Sequence, residues 1–413
     1  MTSTTDHIID EMTALRVIES LRSGVASPQV SVHFSSGRKE ITNDILTELE
    51  EVADTGRPGG KVISAGYGQG KTHLLNQVAV NALGNNFAVA TVVVSKETPI
   101  HNRKHLYQKI ANSIVLPGER EPGMERRLAV LRPNSDAVQD LFLYADKNFH
   151  PKIQAVLKGY FLSSDPYGQF LLYSDLVGES LPLSQIREIL KDATGTRVTV
   201  EKMPSEDFGQ YFHLLTALVR TLKLNGLVIL FDEAELLGAL GPASRMKAYL
   251  NMAPFLGLGG PFNMRFVYSV FFVASGFYAD IIVGKRELSQ IKGRASISLA
   301  KADVQAVMSV LDFLINERVE LTDLTQAQIE AILDEVQRLH GIAYHWNALL
   351  DVPLVLTKTE GAPLRTVIRG AVESLDLGLL YGGEQQIAVQ GLDTTIPGED
   401  EELFATEDEI SAK

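Results

Sequence analysis

The residues with the most legible chemistry are Ala65–Thr72, which read AGYGQGKT, between a short apolar run and an apolar-periodic one. Three glycines at alternate positions, Gly66, Gly68 and Gly70, let a backbone fold tightly and aim several N–H groups at one anion. The next residues complete a phosphate-binding loop: Lys71 reaches the β- and γ-phosphates of a nucleoside triphosphate, and the Thr72 hydroxyl ligates Mg²⁺. The helix expected to start there turns its positive end toward the same phosphates. Tyr67, Gln69 and His73 fall within this loop and helix start and are expected to line the nucleotide. The usual pattern opens with Gly, where this chain has Ala65. A glycine-rich surface turn would leave the Lys-Thr pair unexplained.

A second group of polar residues complements the first. The apolar stretch GLVILF runs into Asp232 and Glu233. A carboxylate at the end of a strand beside the loop's own strand can hold the Mg²⁺ shell, which is the role expected of Asp232; the next carboxylate, Glu233, can orient an attacking water. The fourth apolar stretch ends in Ala-Ser-Gly, and Ser275 is placed to sense the γ-phosphate, although a Ser-Gly turn explains it equally well. Two arginines, Arg286 and Arg294, precede the expected fifth strand, and Arg294 is the better candidate for a finger completing a neighbouring subunit's site. Arg365 and Arg369 share one face of the last helix, and Arg365 is expected to reach back toward the γ-phosphate.

Elements that alternate must position these groups. Strands are expected at Lys61–Ala65, Phe87–Val94, Gly226–Phe231, Arg265–Ala274 and Ala295–Leu299, with helices between them. Apolar strands alternating with helices predict an α/β fold with a five-stranded parallel sheet. Residues 1–58 read as a mostly helical N-terminal segment, with Val30–Phe34 (VSVHF) extended. Residues 59–300 form the expected ATPase core, within which 116–207 read as a helical insertion between the second and third strands. Residues 301–380 read as an all-helical lid, with a capping box at Thr325 and Gln328, and 381–413 as an acidic tail without periodicity.

Composition narrows the alternatives. The formal net charge is −13, and the body remains acidic once the tail from Asp393 is set aside, so no global basic character announces nucleic acid. There is no cysteine, which excludes disulfides and thiolate metal sites and agrees with a reducing, cytoplasmic setting. The N-terminus lacks the pattern of a signal peptide, and the longest apolar run, Phe266–Phe277, is too short to span a bilayer. His101 and His105, four apart in HNRKH, have cations between them and no evident carboxylate, so they read as a solvated or anion-facing loop rather than a metal site. His345 and Trp346 read as packing residues.

Taken together, these features resemble the AAA+ ATPases of the initiator and origin-recognition type. More closely, the chain resembles the ATP-binding proteins of bacterial phage-exclusion (BREX) systems, of the short BrxD kind. The stretches that carry the resemblance are ALRVIESLRSGV, SSGRKEI, AGYGQGKTHLL, VVVSKETPIHNRKHLYQKI, LVILFDEAELL, SRMKAYLNM and PLRTVIRGAVESLD. The resemblance implies a P-loop AAA+ core with a C-terminal helical lid, in a cytoplasmic, ATP-dependent oligomer using ATP and Mg²⁺. It further implies action with other defence-system proteins, such as helicase or methyltransferase components, and with DNA. By motif match it assigns nucleotide binding to Gly68, Gly70, Lys71, Thr72 and Asp232, hydrolysis to Glu233, and a place near the base to Arg38. The chain departs from the pattern at Ala65 and at Pro-Leu-Arg before the last helix, where Pro-Arg is usual, and a winged-helix domain is not expected within the residues that follow the lid. Two other readings fit much of the same sequence: a nucleotide-gated interaction module with little turnover, and a transposition-regulator-like ATPase that assembles on DNA.

Overall fold

A computed structural model describes residues 9–24, 28–34, 38–66 and 68–382. The expected acidic tail lies outside the described residues. The chain divides into two compact units: one holds residues 1–39, 68–77 and 322–413, the other 40–67 and 78–321. No described helix is long and apolar enough to cross a membrane.

The larger unit is built on a six-stranded sheet in the order β3-β2-β4-β5-β1-β6. Its strands are β1 (Gly59–Ala65), β2 (Ala88–Val93), β3 (Ile114–Val115), β4 (Leu227–Asp232), β5 (Val267–Ala274) and β6 (Val319–Glu320). All neighbours are parallel except β2 and β3. The central strands β4 and β5 are nearly continuous buried apolar runs, as strands covered on both faces require. Phe231 and Phe271 stack across the β4–β5 pair with ring centroids 4.3 Å apart. Gly60 and Gly226 are needed where backbones meet: an added Cβ would lie 2.4 Å from the Ser269 carbonyl oxygen and 2.4 Å from the Phe266 carbonyl oxygen, respectively.

Helices run in chain order as α1 (Glu11–Ser23), α2 (Pro28–His33), α3 (Lys39–Thr55), α4 (Lys71–Gly84), α5 (Arg103–Asn112), α6 (Glu125–Ala129), α7 (Asp136–Asn148), α8 (Pro151–Leu162), α9 (Pro166–Leu176), α10 (Leu183–Thr194), α11 (Gln210–Thr221), α12 (Pro242–Met252), α13 (Glu287–Ser298), α14 (Lys301–Asn316), α15 (Gln326–Tyr344), α16 (Val352–Lys358) and α17 (Leu364–Tyr381). Helices α5 to α11 lie between β2 and β4 in the chain. Their prolines open helices rather than break them: Pro151 and Pro166 each occupy the first turn, where the missing N–H costs nothing. Helix α14 packs on α12 and α13 within the larger unit.

Three expectations need correction. Ala295–Leu299 is not a strand; it ends α13, because Ile291 and Ala295 repeat at helical spacing on a buried face while Ile297 points outward at 88% exposure. The additional strands are instead β3 and β6, each only two residues long and too short for periodicity to reveal. The strand carrying Asp232 is not beside the strand that enters the glycine loop, because β5 lies between β4 and β1. A smaller difference concerns Val30–Phe34, which is not extended: α2 covers most of it, with Val30 and Phe34 buried in an apolar cluster that overrides their β propensity.

In the smaller unit, α1, α15 and α17 pack around Ala14, Val17, Ile18, Val336, Leu339 and Leu375. Asp10 caps α1 by accepting from the Thr13 amide at 2.8 Å, and α15 opens with the expected Thr325–Gln328 capping box. A polar chain ties the three helices together. Arg22 donates to both oxygens of Asp376 at 3.0 and 2.7 Å, Asp376 is 3.0 Å from His340 Nε2, and the only tryptophan, Trp346, donates its Nε1–H to His340 Nδ1 at 2.9 Å. With Nδ1 accepting, Nε2 carries the proton and the ring is neutral. Burial lowers the His340 pKa, opposed by Asp376.

Two outcomes follow. Asp376→Ala strands Arg22 and His340 and should cost about 1–3 kcal/mol, read as a lower urea midpoint of the Trp346 fluorescence transition. Because the folded pKa of His340 is depressed, its contribution is fully present above the ordinary imidazole value, about 6.5, and is lost as pH falls below it. The Trp346 midpoint should therefore drop from pH 7 toward pH 5, less steeply in His340→Gln.

Candidate functional site

The parallel register sets the geometry within the larger unit. β1 pairs with β5 from Gly59↔Tyr268 through Ala65↔Ala274, and β4 pairs with β5 up to Phe231↔Phe271. The carboxyl ends of β1, β2, β4 and β5 thus open on one edge, the usual place for ligands in such sheets. Asp232 ends β4 there. Its carbonyl accepts from the Val94 amide at 2.9 Å, and its Oδ1 accepts from the Glu233 amide at 3.0 Å. Glu233 is exposed and adopts φ +54°, a left-handed conformation costly for any residue but glycine. Strain of this kind concentrates at functional positions because the fold must hold it in place. Ser275 follows β5, is exposed, and donates its amide to the Ala65 carbonyl at 3.0 Å, which fastens the end of β5 to the end of β1. Gly66 continues directly from β1.

The glycine loop continues in the smaller unit. Gly68 and Gly70 have φ +77° and +90°, conformations that favour glycine, and a Cβ added at Gly68 would come 3.2 Å from Pro363 Cβ. The Leu74 amide donates to the Gly70 carbonyl at 2.9 Å, so the α4 ladder starts at Gly70 and the first amides of the helix fall on Lys71–His73. Thr72 is exposed and Lys71 half-buried. Tyr67 lies outside the described residues.

Side chains around the loop fix its path. Arg38 donates Nη2 to the Gln69 carbonyl at 3.1 Å and to the Thr322 carbonyl at 2.7 Å, and Gln69 Nε2 donates to Asp323 Oδ1 at 2.8 Å. Burial lowers the Arg38 pKa, opposed by Asp323. The His73 ring faces away from ligand duty: its Nε2 is 2.6 Å from the Phe34 carbonyl and its Nδ1 3.5 Å from Ser31 Oγ. Burial lowers its pKa, so it anchors the start of α4 as a neutral ring. Thr322 and Asp323 gave no signal in the sequence, because their part depends on a contact with residues more than 250 positions away.

Arg365 is exposed and its aliphatic stem covers Gly24 at the end of α1, where an added Cβ would be 3.2 Å from Arg365 Cδ and 3.5 Å from Arg369 Cδ. Cations there complement the negative end of that helix. Arg294 is exposed on α13, and Arg286, at φ +50°, precedes the same helix. Among the described residues no group of three or more His, Cys, Asp or Glu side chains gathers as a metal site.

These features define a mixed α/β protein with a mostly parallel sheet, and a glycine-rich turn that leads into α4. Residues 9–125 match the family model described as BREX system ATP-binding protein BrxC/D, which bears out the resemblance read from the sequence. A search of curated proteins returned no match.

Arg38→Ala should release the loop without touching its glycines. Hydrogen exchange of the amides from Gly68 to Leu74 is expected to quicken about tenfold, the equivalent of roughly 1.4 kcal/mol of lost hydrogen bonding. Exchange elsewhere in α4 should be unchanged.

Proposed function

We propose that this chain binds ATP at Gly66–Thr72 and hydrolyses it as a component of a phage-exclusion system. The observation that carries the reading is the left-handed pair Gly68 and Gly70 leading into the first turn of α4. A loop of this shape turns backbone amides outward toward an anion, and small residues leave it room. The match to a family described as ATP-binding spans this loop and supports the same reading.

The residues then take distinct roles. Lys71 spreads positive charge over the β- and γ-phosphates. Glu233, exposed and held in a strained conformation, accepts a hydrogen bond from water and orients it for attack. Ser275 is the polar residue that registers the γ-phosphate. The Thr72 hydroxyl and the Asp232 carboxylate are oxygen donors of the kind Mg²⁺ prefers, and that ion, when bound, neutralises phosphate charge. Arg38 and His73 hold the loop in place. Arg294 completes the site of a neighbouring copy in an ATP-dependent homo-oligomer, and Arg365 adds charge from α17. The protein is cytoplasmic in this reading, as an AAA+ machine whose nucleotide state governs its contact with other defence-system proteins and with DNA.

Phosphate release separates these roles. Lys71→Ala should abolish nucleotide binding. Glu233→Gln should retain binding and lower turnover about 100-fold or more, the range expected for loss of a positioned base. Undiminished turnover in Glu233→Gln removes that residue from the mechanism.

A further inference from the structure

The larger unit contains a cleft of about 1030 Å³ that none of the glycine-loop residues lines. It lies between the start of α5, the helical segment before β4, and the helices α12 and α14. Its lining is basic in a chain of net charge −13: Arg103, Lys104, Lys202 and Lys247 converge on it, and among the described residues Asp303 is the one acidic residue in the wall. A fifth cation, Lys152, forms part of the floor and is compensated from below by Asp175 at 2.7 Å. Like charges brought together repel unless an anion balances them, and Asp303, which faces Arg103, is a single charge against the other four.

Several of these groups are held rather than loose. Arg103 donates Nε to Asn251 Oδ1 at 2.9 Å, and Asn251 is itself fixed by donating to the Ile100 carbonyl at 2.9 Å. That pins the guanidinium at the cleft wall. Lys104 is 3.3 Å from Ser180 Oγ. His101, which also lines the cleft, has a buried Nδ1 with no hydrogen-bond partner among the described residues. Burial and Lys247 lower its pKa, so its neutral ring can offer a hydrogen bond there. Phe208 and Tyr211 supply aromatic surface to the same cleft.

We propose that this cleft is a second anion site that binds a phosphate ester, built from none of the glycine-loop residues. Four convergent cations suit phosphate oxygens, and the aromatic surface suits a base or sugar carried by them. Two sources share this chemistry, a single strand of nucleic acid and a free phosphorylated small molecule. The volume admits a nucleotide-sized portion of either.

The test uses the full chain carrying Lys71→Ala, so that the glycine loop does not contribute. The probes are a fluorescein-labelled single-stranded oligothymidylate, read by anisotropy across a salt series, and inorganic pyrophosphate, read by titration calorimetry. At least one probe should bind saturably. Lys202→Glu combined with Lys247→Glu should weaken that binding about tenfold or more and, for the oligonucleotide, flatten the slope of log K against log salt by about 1.4, the value for two lost contacts. Both lysines are exposed, so the fold tolerates the changes; Lys104→Gln provides a milder variant with a smaller loss. Lys191→Glu with Lys292→Glu, exposed lysines outside the cleft, should stay within about twofold of the parent. Oligonucleotide binding identifies a strand, and pyrophosphate binding alone identifies a small phosphate. The proposal is overturned if neither probe binds, if the cleft double variant binds like the parent, or if the control pair loses as much.

Discussion

The parallel pairing of β1, β5 and β4 governs everything the larger unit does. Parallel ladders fix direction: once β5 lies between the other two, all three chains must deliver their next residues to the same edge of the sheet. That edge receives Gly66, Ser275 and Asp232 without any of them needing to recognise another. The bond from the Ser275 amide to the Ala65 carbonyl extends the ladder one residue beyond the strands and keeps their ends level. A slip of one residue would carry every side chain of β5 to the opposite face and break the Phe231–Phe271 stack, so side-chain packing across the strands also guards the position of the polar residues at their tips.

Strain is then placed where the strands stop. Glu233 is left-handed immediately after β4, and Gly68 and Gly70 are left-handed shortly after β1. Glycine adopts this conformation at little cost, but glutamate does so only where its neighbours enforce it. The enforcement is visible in Asp232, whose main chain is tied to Val94 and whose side chain accepts the Glu233 amide. In the smaller unit the same economy appears around the loop, where Arg38 spans the carbonyls of Gln69 and Thr322.

Much of this was legible from residue types. The glycine spacing, the Lys-Thr pair and the apolar run into Asp232-Glu233 each signal a local chemistry, and local chemistry survives in sequence. The four long strands were legible for the same reason, since β-branched runs buried on both faces have few other homes. What was not legible depends on distance. Strand order is set by which edges pair, and nothing near Asp232 records that β5 intervenes. Ala295–Leu299 reads as a strand by its alternation and becomes helical because Ile291, outside that window, supplies the missing turn of a buried face. β3 and β6 are too short to carry a pattern at all. The cleft basic residues come from four separate stretches, and only His101–Lys104 among them hinted at an anion-facing role.

The central claim is that the glycine-rich turn after β1 is a nucleotide site. Titration calorimetry of the full chain with Mg²⁺ and a slowly hydrolysed ATP analogue tests it most directly, beside a Gly70→Val variant whose side chain conflicts with φ +90°. The account predicts saturable binding of one nucleotide per chain and its loss in the variant. Absence of binding heat and of competition with labelled ATP in the parent chain, or equal affinity in Gly70→Val, would contradict it.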